Sequence, residues 1–196
     1  MQKVKDKFKT YCWRGEIANS AHEVLAMAFD TYSAKNLKDM LRIAIRSIPK
    51  QKVAFQHAPM LLIDGMNLLC SLVDVAYALS NKYNKSFYPP YAESPKVESL
   101  FHNYKDEASL WDNLPGMLSL EEFHNPYWVF KHFCRKANKK KRKADLEAIW
   151  TKALSKHTEI IEEDYLGLYI RYVKLIEAAQ LINNRQHKKH SNCQNV

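Results

Sequence analysis

Apolar residues recur along this chain at helical spacing, and the strict alternation that half-buried strands require is scarce. The clearest segment runs from Tyr165 to Ile182, where apolar residues repeat at alternating steps of three and four. Residues 37–48 give an amphipathic helix that Pro49 should end. The pattern therefore predicts an all-α, single-domain bundle of about six or seven helices.

The most hydrophobic stretch of the chain runs from Pro59 to about Tyr83, and Pro suits the first turn of a helix. Its polar residues are spaced so that they share an arc of about 80° on that helix, which favours a central bundle helix and predicts no membrane span. The stripe fits the exposed edge of a largely buried helix, a buried polar network or a ligand site. Its members are Asp64, Asn67, Ser71 and Asp74.

The division of the chain follows from its turn signals and its charge. Residues 84–116 show weak periodicity and form the predicted long connection. Ser119 looks like a helix start, Asn125 and Pro126 interrupt that helix, and an aromatic-rich helix follows from Tyr127 to Arg135. We expect residues 1–183 to form the bundle and residues 184–196 to form a basic, flexible C-terminal tail.

Positive charge is concentrated in two places rather than spread over the chain. The formal net charge is +9, and the segment from Lys131 to Lys143 holds eight Lys or Arg residues and no acid. The C-terminal segment adds Arg185, Lys188 and Lys189. Without these eight and three positive charges the net charge falls from +9 to −2, so the basicity is regional and suits a binding patch.

The basic run has the charge density to neutralise several phosphates, and Trp128, Phe130 and Phe133 lie just upstream as candidate stacking partners. This predicts a non-catalytic module that binds RNA, DNA or another anionic partner through a basic inter-helix segment. The run also fits a solvated turn whose upstream aromatics belong to the core, or a patch that meets an acidic membrane surface. The predicted contacts are Arg135, Lys136, Lys139, Lys140, Lys141, Arg142, Lys143, Arg185, Lys188 and Lys189.

Arg185 and His190 are separated by four residues, a spacing that resembles the RxxxxH motif of HEPN-type ribonucleases. The resemblance implies an all-α ribonuclease in which His190 acts as acid or base and Arg185 holds a phosphate. A motif this short is expected about once by chance in a chain of this composition. Ribonuclease activity is therefore the alternative to a non-catalytic function.

A third hypothesis places a partner on the last helix. The heptad-like apolar face between Tyr165 and Ile182 would serve as the interface of a homo-oligomer or of a complex with another protein. The positive charge would then only keep the protein soluble.

Metal and cofactor chemistry have little support in the sequence. Glu121 and His124 form one Glu-x-x-His motif, whereas a di-iron bundle needs two, so no metal is predicted. Glycine-rich phosphate loops are absent, and we predict no cofactor. The N-terminus lacks the apolar stretch of a signal peptide, and the cysteines are far apart, which favours a reducing, cytoplasmic location. They are Cys12, Cys70, Cys134 and Cys193.

Overall fold

The helices pack into one bundle in a computed structural model that describes residues 6–49, 59–82, 115–155 and 164–193. This part of the chain holds eight helices and no strand, which confirms the predicted all-α multi-helix bundle. Two of the eight are single turns, so the number of longer helices is close to that predicted. They are α1 (Tyr11–Arg14), α2 (Ala21–Thr31), α3 (Ala34–Ser47), α4 (Pro59–Lys82), α5 (Leu120–His124), α6 (Tyr127–Arg135), α7 (Lys139–Leu154) and α8 (Tyr165–Cys193).

Short polar side chains set where several helices begin. The Ser20 hydroxyl accepts a hydrogen bond from the Glu23 amide at 3.1 Å, so α2 begins after Ser20. Ser119 and Glu122 form a reciprocal capping box at the start of α5. Each cap satisfies amides that have no partner within the helix.

Helix α4 is the central element of the bundle. It packs against α1, α2, α3, α6, α7 and α8, and its leucines from Leu62 to Leu79 are buried. The segment Met60–Ser80 is long and apolar enough to cross a membrane, but 61% of its most apolar window is buried inside this chain, as expected of a core helix. The absence of a membrane span stays a prediction, because length and composition fit both situations.

The longest helix, α8, packs against α2, α3 and α6. Its periodic apolar face is buried from Tyr172 to Ile182. The face that we considered as a partner interface therefore lies in the core of the chain itself. The helix continues past residue 183 to Cys193, so it spans the boundary that we predicted between bundle and tail.

A buried tryptophan joins α7 to α4. The Trp150 side chain is 1% exposed, and its indole N–H donates a hydrogen bond to the Leu62 carbonyl at 2.6 Å. The bond joins the first turns of α4, which contain Leu62, to the end of α7, which contains Trp150. A buried donor or acceptor without a partner would lose its hydrogen bonds to water without replacing them.

Replacing this donor gives a test of the packing. We expect Trp150→Phe to lower the free energy of unfolding by roughly 1–3 kcal/mol, because it removes a buried hydrogen bond and replaces the indole by a smaller ring. Chemical denaturation followed by circular dichroism measures the change. Trp128→Phe is the control, since Trp128 is 48% exposed, and its effect should stay within about 0.5 kcal/mol. Equal stability of the two variants would contradict this packing.

Candidate nucleic-acid interface

The basic run extends from the end of one helix into the next. Arg135 ends α6, residues 136–138 form the connection, and Lys139 begins α7. The Asn138 side chain caps α7 by accepting a hydrogen bond from the Lys141 amide at 2.8 Å. The cap starts the helix at Lys139, so the basic run is helical except for residues 136–138 rather than a segment that lies only between helices.

Arg142 points into the protein rather than toward a ligand. Its side chain is 3% exposed, and its Nε and Nη2 donate hydrogen bonds to the Phe133 carbonyl at 3.2 and 2.9 Å. The guanidinium also lies 4.7 Å from the centre of the Phe133 ring. These contacts satisfy a carbonyl in the last turns of α6, so Arg142 joins α6 to α7, and its burial leaves the guanidinium out of reach of a phosphate.

Lys143 also faces inward, toward a buried carboxylate on α4. Its Nζ donates a hydrogen bond to Asp74 Oδ2 at 2.6 Å, and the Asp74 side chain is 4% exposed. Lys139 Nζ lies 3.3 Å from the other carboxylate oxygen, but the Lys139 side chain remains 53% exposed. Lys143 therefore neutralises Asp74 inside the protein, whereas Lys139 lies at the rim of this ion pair.

The polar stripe on α4 is largely internal. Ser71 is fully buried and accepts a hydrogen bond from the Trp13 indole N–H at 2.9 Å. Asp74 is buried as described, while Asp64 and Asn67 are half-buried. Of the three interpretations of the stripe, the exposed edge is wrong for Ser71 and Asp74, which form polar contacts between helices.

Two tyrosines fix the backbone of the basic run. The Tyr77 hydroxyl donates a hydrogen bond to the Ala137 carbonyl, and the Tyr172 hydroxyl donates one to the Arg142 carbonyl. Burial raises the pKa of both phenols, so both keep their donor protons at neutral pH. The connection between α6 and α7 is therefore held against α4 and α8.

The remaining positive side chains lie on the surface and continue the outer side of α6. Trp128 is 48% exposed, whereas Phe130 and Phe133 are 0% and 4% exposed, so only one of the three candidate stacking residues is accessible. The exposed residues on α6 follow helical spacing, which places them on one side. We call the resulting surface the basic face: Trp128, Lys131, His132, Arg135, Lys136, Lys139, Lys140 and Lys141.

The positive charge of the basic face adds to the positive end of the α7 dipole, which also attracts anions. The first turn of α7 contains lysines and no acid, although the positive end of the helix dipole disfavours cations there. Lys141 is offset by Asp145, whose carboxylate lies 3.1 Å away. Among the described residues, Lys131, Arg135 and Lys140 form no ion pair. The face consequently carries positive charge that the described structure does not neutralise.

Arg185 has partners within the bundle. Its Nη1 and Nη2 donate hydrogen bonds to the carbonyls of His124 and Phe123 at 3.0 and 2.5 Å, and the guanidinium lies over the Phe123 ring. These bonds satisfy carbonyls in the last turn of α5. The side chain of His190 lies outside the described residues, so the pairing of Arg185 with His190 stays a prediction.

The predicted contacts Lys188 and Lys189 follow Arg185 on the same helix, since α8 extends to Cys193. Their side chains also lie outside the described residues. Their contribution to binding stays a prediction.

The acidic residues of α5 also have partners in the fold. Glu121 is exposed, while Glu122 receives hydrogen bonds from the Ser119 amide and from Lys174 Nζ at 2.9 and 2.7 Å. Burial raises the pKa of Glu122, but the bonds from Lys174 and Ser119 outweigh this and lower it overall. No group of three or more His, Cys, Asp or Glu side chains suited to a metal occurs in the described ranges.

A cleft of about 370 Å³ lies between α3 and α8. Two of its cations are paired within it: Lys38 Nζ lies 3.2 Å from Glu177, and Arg42 lies 2.8 Å from Asp39. Glu177 further accepts hydrogen bonds from the amides of Gly116 and Met117. The cleft therefore offers an anionic ligand much less unpaired charge than the basic face does.

Two cysteines are poor nucleophiles. Burial raises the pKa of the Cys70 thiol to about 11 and also raises the pKa of Cys134. Both therefore remain protonated at neutral pH, and neither supports thiolate chemistry.

The Asp74 ion pair can be tested by removing its charge. We expect Asp74→Asn to lower the free energy of unfolding by about 3–5 kcal/mol, because it leaves the Lys143 ammonium uncompensated in a largely buried position. The control is Asp39→Asn, which breaks the exposed pair with Arg42 and should cost less than about 1 kcal/mol. Denaturant titration measures both, and similar losses in the two variants would exclude a special role for Asp74.

The lowered pKa of Glu122 predicts a defined pH dependence of the folding stability. Because its pKa is lower in the folded state, its charge contributes stability above its pKa in the unfolded chain, and that contribution is lost as the pH falls through the folded pKa. We expect Glu122→Gln to be less stable than the parent at pH 7 and the difference to shrink progressively below about pH 4.3. Thermal unfolding across pH 3–7 measures it, and a pH-independent difference would contradict the prediction.

The chain was compared with protein-family models, with curated proteins and with solved structures. None of the three comparisons finds a match.

Proposed function

We propose that this protein binds nucleic acid through the basic face, without catalysing a reaction. The observation that carries the proposal is the run of six exposed Lys and Arg side chains, with no acid among them, between residues 131 and 141. Phosphate groups are the ligand that such a surface suits, because each neutralised phosphate releases counterions and adds to affinity.

The fixed backbone strengthens the proposal. The hydrogen bonds of Tyr77 and Tyr172 hold the connection that carries Lys136 and the start of α7. A backbone fixed in this way loses little further conformational freedom when a ligand binds. The six cations are therefore presented in a defined arrangement, although each long side chain remains flexible.

The alternatives have less support from the described residues. The Arg185 guanidinium is used by two carbonyls of α5, which a phosphate ligand would have to displace. The apolar face of α8 is buried in the core from Tyr172 onward, so its periodicity has an explanation within the chain. Ribonuclease activity and self-association remain hypotheses, and the binding experiment below also registers cleavage.

Titration of fluorescently labelled RNA and DNA oligonucleotides, both single-stranded and duplex, tests the proposal. We expect binding at low salt that weakens steeply as salt rises. Arg135→Gln with Lys140→Gln should weaken binding and reduce the slope of log affinity against log salt by about 0.7–0.9 for each lost phosphate contact. Fluorescence anisotropy at several salt concentrations supplies both quantities.

The matched control is Lys7→Gln with Arg46→Gln, which removes the same charge from exposed positions outside the basic face. Its affinity and salt slope should stay close to those of the parent. Equal weakening by both double variants would mean that only net charge matters, and absence of binding at low salt would exclude the proposal. Shortened oligonucleotides in the same samples would favour a ribonuclease.

A further inference from the structure

An exposed tryptophan lies within the basic face. The Trp128 side chain is 48% exposed, although its neighbours Val129 and Phe130 are buried. Its indole N–H donates no hydrogen bond to another described residue. The packing of α6 is supplied by other aromatic residues, since Phe130 packs edge-on against Tyr127 and Phe133 against Tyr172. The fold described here therefore does not explain why a tryptophan occupies this position.

The position of Trp128 relative to the positive charges is regular. Lys131, His132 and Arg135 follow it by three, four and seven residues on α6, and all are exposed. At 100° and 1.5 Å per residue, the four side chains lie within an arc of about 100° and along about 10 Å of the helix axis. One planar aromatic group and two permanent cations thus share a strip about as long as a few nucleotides.

We infer that the basic face binds single-stranded nucleic acid, with a base stacked on Trp128 and adjacent phosphates on Lys131 and Arg135. This inference rests on the proposed function and adds the class of nucleic acid. Only an unpaired strand can present the face of a base to an indole ring, because the bases of a duplex are stacked on one another. A surface that recognised only duplex phosphates would need the cations but not the tryptophan.

The first experiment compares Trp128→Ala with the parent in binding to labelled single-stranded and duplex oligonucleotides of the same length, as RNA and as DNA. We expect Trp128→Ala to weaken single-strand binding by roughly 5- to 100-fold, which is the usual cost of losing one base–aromatic stack. Duplex affinity and the salt slope should change little, because no phosphate contact is lost. Trp128→Phe should restore part of the single-strand affinity, whereas Trp128→Leu should not.

A matched control and a spectroscopic readout separate stacking from an indirect effect on the fold. Tyr11 is an aromatic residue that is 64% exposed outside the basic face, so Tyr11→Ala should leave single-strand affinity unchanged. Stacking should also quench tryptophan fluorescence when an unlabelled single strand is added, and Trp128→Phe should remove most of that quenching. Circular dichroism before titration establishes that each variant is folded.

The outcomes distinguish this inference from the proposed function. Unchanged single-strand affinity in Trp128→Ala, together with weakened binding in Arg135→Gln/Lys140→Gln, would overturn the stacking inference and leave nucleic-acid binding in place. Absence of all binding by the parent at low salt would overturn both. Selective single-strand loss supports the inference, and the RNA and DNA arms then show whether the site requires the 2′-hydroxyl or accepts both strands.

Discussion

The buried ion pair between Asp74 and Lys143 is the interaction on which the arrangement of the basic segment depends. A carboxylate in the central helix, 4% exposed, requires a compensating charge, and Lys143 supplies it from the second turn of α7. The pair fixes the rotation of α7 about its own axis, because Lys143 must point toward α4. Lys141, about 160° from Lys143 around the helix, consequently points toward solvent.

This constraint divides a uniformly basic stretch of sequence into two groups with different roles. Arg142 and Lys143 form internal contacts with Phe133 and Asp74, and they stabilise the junction of α4, α6 and α7. Lys140 has no ion pair within the described residues, and the crowding of lysines at the positive end of a helix dipole costs stability. Cations that cost stability and remain exposed are candidates for ligand binding, whereas buried cations are explained by the fold.

The sequence predicted the helices well because their signals are local. Apolar periodicity, the Ser119 cap and the break at Asn125 and Pro126 involve neighbouring residues only, and the structure has α5 and α6 where these signals place them. The roles of individual cations depend on contacts between distant segments. Lys143 and Asp74 are 69 residues apart, so the sequence pattern alone could not separate Lys143 from Lys140.

The roles of the aromatic residues could not be predicted from the sequence either, because they also depend on packing. Phe130 and Phe133 looked like stacking candidates beside Trp128, but only the packing of α6 against α4 and α8 identifies which of the three is exposed. A helical-spacing analysis starting from Trp128 would have grouped it with Lys131, His132 and Arg135. Arg185 was a candidate for phosphate binding, and its bonds to the carbonyls of α5 depend on contacts more than 60 residues apart along the chain.

The central claim is that Lys143 and Lys140, three residues apart in the basic segment, have separate roles, one in the fold and one in binding. The most direct measurement compares Lys143→Gln with Lys140→Gln, with the unfolding free energy and the salt dependence of nucleic-acid binding determined for both. Lys143→Gln should lower the free energy of unfolding several-fold more than Lys140→Gln does. Under conditions where it stays folded, its salt slope should equal that of the parent. Lys140→Gln should keep its stability and lose about one phosphate contact from the slope. Equal effects of the two substitutions on both quantities would contradict the account.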